Sequence, residues 1–129
     1  MKIAFDIGGV LSKHSQIRDL FSVLITTVNL TEIKVFIITD MPIEKAEAML
    51  KLNNIWHEGI VFSADYTTHG ENCKKVLCEE LGIDILIDDS INYLSNGNFV
   101  RLLVMPNSNL PYYSNDWKTD GSEGNFGRK

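Results

Sequence analysis

IAFDIGGVLS, residues 3–12, sets an apolar run against a single aspartate, then two glycines and a second apolar turn. An uninterrupted apolar run that breaks at an acid and two glycines reads as a buried strand delivering Asp6 to a tight loop. Such a residue can be a nucleophile that takes a phosphoryl group, a magnesium ligand, or part of a phosphate-cradling turn. The rest of the chain decides among these.

Outward from this stretch, five short apolar runs alternate with helix-like segments. The strands are read at 2–7 (KIAFDI), 34–39 (KVFIIT), 59–65 (GIVFSAD), 83–89 (IDILIDD) and 99–105 (FVRLLVM). Helices are read at 15–28, from Pro42 through PIEKAEAMLKL, and at 71–82, where Gly82 stops ENCKKVLCEELG. Proline suits a first helical turn and glycine a helix end. Continuous rather than alternating apolar runs indicate strands covered on both faces. Intervening helices imply parallel crossovers. The fold class is therefore α/β, a three-layer doubly wound open parallel sheet of about five strands.

The chain divides into a core over 1–105 and a polar C-terminal tail over 106–129. The tail, PNSNLPYYSNDWKTDGSEGNFGRK, is rich in Asn, Ser and Gly and reads as exposed. Tyr112, Tyr113 and Trp117 are the residues that could pin its first half to the body or over the site.

With 129 residues, 44% of them hydrophobic, the chain is long enough to bury one core. A net charge of −5 argues against a nucleic-acid surface, but not against a phosphorylated ligand, because a bound cation can supply positive charge locally. The two cysteines, Cys73 and Cys78, are five apart and read as reduced thiols on one helix. The sequence enters strand-like residues at once and has no long apolar run, which gives the expectation of a cytoplasmic protein with no membrane partner.

In an open parallel sheet, ligands bind beyond the carboxyl ends of the strands. Those ends carry Asp6, Thr39 with Asp40, Asp65, and Asp88 with Asp89. Such crowding of carboxylates is costly unless protons or a cation neutralise it, and all-oxygen donors suit magnesium. Lys74, early in the helix before the fourth strand, can reach the same edge.

Asp6, Thr39, Lys74 and Asp88-Asp89, in that order, resemble the haloacid dehalogenase superfamily over residues 2 to about 104. FDIGGV is similar to its first motif, VFIIT to its second, and KKVLCEELGIDILIDDS to its third and fourth together. The resemblance implies a capless core of that fold in which Asp6 attacks phosphorus. Thr39, Asp40 and Lys74 would bind the phosphate, with Lys75 the alternative lysine. Magnesium would be held by Asp6, the Gly8 carbonyl, Asp88 and Asp89. Gly8 is a departure, since most phosphatases of the family carry there a second aspartate that serves as general acid and base. His14 is either a substitute proton shuttle or a solvated loop residue; His57 and His69 read as surface residues.

Only 32 residues lie between Asp6 and Thr39 and 34 between Thr39 and Lys74, which leaves no room for an inserted cap. Capless relatives tend to act on large substrates or to form homo-oligomers that cover the site. Other acid-and-glycine patterns fit less well. An Asp-Ile-Gly-Gly kinase of the actin-like type needs two lobes, a receiver domain has its acidic pair on the first strand, and a dinucleotide fold needs GxGxxG. Turn or helix-capping roles for Asp6, Asp88 and Asp89 are the plain structural alternative. The resulting expectation is a magnesium-dependent phosphohydrolase acting on a phosphorylated small molecule or nucleotide. The second is a catalytically weak phosphate- or protein-binding regulatory domain.

Overall fold

Apolar side chains on alternate sides of the central strands give the sheet two dry faces. A computed structural model describes residues 1–119. Its strands are β1 (Lys2–Phe5), β2 (Lys34–Thr39), β3 (Val61–Ser63), β4 (Ile85–Asp88) and β5 (Val100–Leu103). They form one sheet in the order β3-β2-β1-β4-β5, with every pairing parallel. Ile3, Phe5, Val35, Ile37 and Ile87 face one side, where α1 (Ser15–Thr26) and α2 (Ile43–Leu52) cover them through Phe21, Ala46, Met49 and Leu50. Phe5 meets Phe21 edge-on, with centroids 5.4 Å apart. Ala4, Phe36, Ile38 and Leu86 face the other side, under Leu77, Cys78 and Leu81 of α4 (Cys73–Leu81). Three layers follow from this alternation.

Every strand but β2 is shorter than its apolar run, because the ends turn into loops before the pairing does. The third strand stops at Ser63, and Asp65 instead caps a single helical turn, α3 (Tyr66–His69), by accepting the Thr68 N–H at 3.1 Å. Gly82 takes the left-handed conformation, φ +71°, that ends α4 as expected.

The expectation of strands covered on both faces fails at β5. Val100, Leu102 and Leu103 are exposed, because residues 90–99 cross to β5 through turns rather than a covering helix. No helix begins near Ser90.

The first half of the tail is pinned to the body by the residues named for it, Tyr112, Tyr113 and Trp117, rather than exposed. Residues 112–119 pack on the body. Ser15 N–H donates to the Tyr112 carbonyl at 3.2 Å, Ser114 N–H to the Lys13 carbonyl at 2.5 Å, and Trp117 joins the α1/α2 core. His14, expected in solvent, is fully buried between Tyr112 and Tyr113, with ring centroids 5.3 and 5.6 Å away. Neither of its ring nitrogens has a hydrogen-bond partner among the described residues. Burial, then the neighbouring Arg18, lowers its pKa, so the imidazole is neutral. It is a packing residue. His57 is half-buried, with Nδ1 2.7 Å from the Ile55 carbonyl, and His69 is exposed. The part of the tail after Thr119 lies outside the described residues.

Candidate active site

The strand order reverses between β1 and β4: β2 and β3 continue on one side of β1, β4 and β5 on the other. That switch point opens a crevice at the carboxyl ends of the two strands. Asp6 leaves β1 there and Asp88 ends β4, and the Asp6 N–H donates to the Ile87 carbonyl at 3.0 Å, locking the two ends together.

After Asp6 the chain makes a wide turn over Ile7–Leu11. Ser12 closes it twice, its N–H donating to the Ile7 carbonyl at 3.0 Å and its Oγ accepting the Gly9 N–H at 2.9 Å. The two glycines do different work. Gly9 has φ +74°, and a Cβ there would stand 1.9 Å from Asp89 Oδ2. Its bareness lets the Asp89 carboxylate come against the turn. Gly8 has an ordinary φ of −65°, is exposed, and a Cβ there would meet nothing within 4 Å. Glycine is not required at position 8 by backbone or space.

Lys74, in the first turn of α4, is fully buried. Its Nζ lies 2.7 Å from Asp6 Oδ1 and 2.6 Å from Asp88 Oδ2. Asp88 Oδ1 accepts the Ser90 N–H at 2.9 Å, so both oxygens of this buried carboxylate are engaged. Lys75, the alternative lysine, faces outward and pairs with Glu79 at 2.9 Å. Asp6, Asp88 and Asp89 each bring an oxygen to a cluster in which all three lie within 4.8 Å of one another. Asp65, engaged as a cap, is not part of it.

Three carboxylates around one ammonium leave an excess of negative charge in a largely dry place. Burial, only partly offset by Lys74 and reinforced by Asp88 and Asp89, pushes the Asp6 pKa well above the ordinary carboxylate value. Burial and the adjacent Asp88 raise Asp89 too. For Lys74, burial favours the neutral amine, but Asp6 and Asp88 outweigh it and hold the ammonium charged. A proton or a cation relieves such a cluster. The three carboxylates offer an all-oxygen donor set of the kind that holds a hard divalent ion.

Thr39 is buried at the end of β2, where its Oγ1 accepts the Met41 N–H at 3.1 Å. That bond orients the hydroxyl and leaves its hydrogen to be donated. Asp40, expected beside the phosphate, accepts the Tyr93 hydroxyl on Oδ2 at 2.7 Å. Tyr93 is the residue that sequence reasoning missed. Its ring centre lies 4.8 Å from Lys74 Nζ, a cation–π contact, and its hydroxyl is fixed by Asp40. An aromatic residue in the polar turn DDSINYL was the available signal.

Both cysteines lie buried and free on α4. Burial raises both thiols, Cys78 to about 12, so neither is a nucleophile near neutral pH. No described helix is long and apolar enough to cross a membrane. No family model, curated protein or solved structure matches the chain.

Proposed function

We propose that this chain is a magnesium-dependent phosphohydrolase that works through an aspartyl-phosphate on Asp6. The observation that carries the reading is the buried Lys74 bridging Asp6 and Asp88, with Asp89 alongside, at the switch point of a parallel sheet. A structural ion pair needs two partners. A third carboxylate against a glycine turn adds repulsion with no structural gain, and makes sense where a cation and an anionic substrate meet.

Lys74 holds Asp6 Oδ1 and so orients the carboxylate for attack along one direction. The Asp6–phosphorus bond forms as the ester oxygen–phosphorus bond breaks, and the departing oxygen takes its proton from water. Water then attacks phosphorus, the Asp6–phosphorus bond breaks, and inorganic phosphate leaves. Lys74 and the Thr39 hydroxyl stabilise the phosphoryl oxygens in both steps. Magnesium, held by Asp6, Asp88 and Asp89 with the Gly8 carbonyl, would neutralise charge on the transferring group. With glycine at position 8 no carboxyl group there protonates the leaving group, so esters with stable leaving anions are the preferred substrates. The two buried thiols accord with a reducing, cytoplasmic setting.

Gly8 also favours a second reading, a catalytically weak domain that binds phosphate or a partner protein and regulates. Phosphate release from p-nitrophenyl phosphate, with magnesium and with EDTA, separates the two when the intact chain is set against Asp6→Asn. Metal-dependent release that Asp6→Asn reduces to background establishes the phosphohydrolase. Equal background in both, in a chain whose melting temperature still rises with magnesium, establishes the binding domain.

A further inference from the structure

A cavity of about 260 Å³ lies against the turn that follows Asp6, lined there by Ile7, Gly8 and Ser12. Gly8, two residues after the nucleophile, forms one wall, and Met41, two residues after Thr39, forms the next. Met49 of α2 lies behind them, and Trp117 and Thr119 of the packed tail close the far side. We infer that this cavity receives the leaving group of the substrate, and that the group it takes is a flat aromatic ring. The inference rests on the phosphohydrolase reading and adds to it the chemistry of the ester.

Volume is the first argument. The cavity falls just below the roughly 300–1,000 Å³ of sites for drug-sized ligands, which leaves room for one ring system and not for a peptide or a sugar chain. Chemistry is the second. An indole and two thioethers are soft, polarisable surfaces that hold an aromatic face, and no acidic side chain lines the space to repel an anion held nearby. Thr119 offers a hydroxyl for ring substituents, while Lys13 lines the space with its stem and gives its Nζ to Asn115 Oδ1 at 3.4 Å.

The third argument is that the wall is built. Asn53, at the end of α2, clamps the main chain next to Trp117 from both sides: Asn53 Nδ2 donates to the Lys118 carbonyl at 2.8 Å, and Lys118 N–H to Asn53 Oδ1 at 2.7 Å. Arg18 pairs with Asp116 at 2.8 Å and lies 6.0 Å from the Trp117 ring centre. A tail merely resting on the body would not need its tryptophan fixed from both neighbouring residues at the mouth of the catalytic turn. In a fold with no cap domain, this strap takes the place of one.

The test uses the intact chain in two assays. In the first, kcat/KM for uridine monophosphate and for p-nitrophenyl phosphate is divided by that for glycerol 2-phosphate, which has no ring, in wild type, Trp117→Phe and Trp117→Ala. Loss of one stacking contact should lower the aromatic preference about tenfold in Trp117→Ala, while Trp117→Phe keeps most of it. Whichever of the two aromatic esters shows the larger drop identifies the ring as a nucleobase or a simple aromatic alcohol. An unchanged preference, with phosphate still released, overturns the pocket and leaves the phosphohydrolase reading standing. In the second assay Trp56→Phe leaves Trp117 as the sole tryptophan, and its fluorescence is followed as uridine, which carries no phosphate, is added. Trp56 is exposed and lies apart from this cavity. Saturable quenching supports the pocket even in a chain that hydrolyses nothing, a result that would overturn the catalytic reading alone. Absence of quenching by uridine and of any aromatic preference overturns the pocket.

Discussion

At the amino end of the sheet, Asp84 and Lys2 meet in the open. Asp84 Oδ2 accepts the Lys2 N–H at 2.8 Å, and Lys2 Nζ donates to the Leu81 carbonyl at 2.7 Å. At the carboxyl end Asp88 and Lys74 are fully buried and Asp6 alone keeps a small exposed fraction. The amino end also holds the larger hollow, about 730 Å³ lined by Met1, Asp84 and residues 97–100, yet a single carboxylate faces it. Size therefore does not single out the candidate site. Buried charge does, because desolvating ions is costly and the fold has to be arranged around them. The same contrast recurs one residue apart on α4, where Lys74 is inside and Lys75 outside.

The two glycines give the sharpest way to break this comparison. Gly8→Asp fits the open space and ordinary φ at that position, and supplies the missing acid. We expect turnover to rise by about 10²–10⁴-fold on esters with poor leaving groups, measured as kcat for phosphate release. Gly9→Ala puts a methyl group into Asp89 at a positive φ, and should abolish the magnesium-induced rise in melting temperature. If Gly9→Ala binds magnesium as well as wild type does, Asp89 has no place at the site.

The two lysines come next. Removing Lys74 leaves buried carboxylates uncompensated, so Lys74→Met in EDTA should cost about 3–5 kcal/mol in urea unfolding. Lys75→Met should be indistinguishable from wild type, since its partner is a surface glutamate. Equal effects would mean that Lys74 is not the keystone of the cluster.

The smallest effect is the pH dependence. A carboxyl group whose folded pKa is raised contributes stability that is complete below its unfolded value, 3.8 for Asp6 and Asp89, and is lost as pH rises through the folded value. The metal-free chain should therefore lose this contribution as pH climbs from about 4. Magnesium competes with the same protons and should restore more at about pH 8 than at about pH 5, approaching about 2.7 kcal/mol at a hundredfold excess over its dissociation constant. Thermal melts at both pH values, with magnesium and with EDTA, measure the difference. A gain independent of pH would dissociate the ion from these carboxylates.

The sheet was legible in the sequence because β1, β2 and β4 are covered on both faces, and doubly covered strands write themselves as unbroken apolar runs. β5 has the same composition but lies uncovered, since covering depends on what the chain does between residues 90 and 99. The convergence of Asp6, Lys74, Asp88 and Asp89 could be anticipated because each stands at a strand end or on the helix leading to one. What could not be read were contacts across long stretches of chain. The contact of Tyr93 with Lys74, the burial of His14, and the anchoring of Trp117 by Asn53 join residues whose local sequence looks like ordinary loop. Tyr112, Tyr113 and Trp117 could be named as able to pin the tail, but not the partners they find: Asn53 for the main chain beside Trp117 and His14 for the tyrosines lie about 60 to 100 residues away along the chain.

The central claim is that Asp6 takes the phosphoryl group, and acid quenching tests it most directly. Wild-type chain mixed with p-nitrophenyl phosphate and magnesium is quenched in acid, digested and examined by mass spectrometry. The peptide bearing Asp6 should gain the mass of one phosphoryl group, and should not gain it in EDTA or when Asp6 is replaced by Asn. Phosphate released with no label on Asp6, or label on any other residue, would contradict the account.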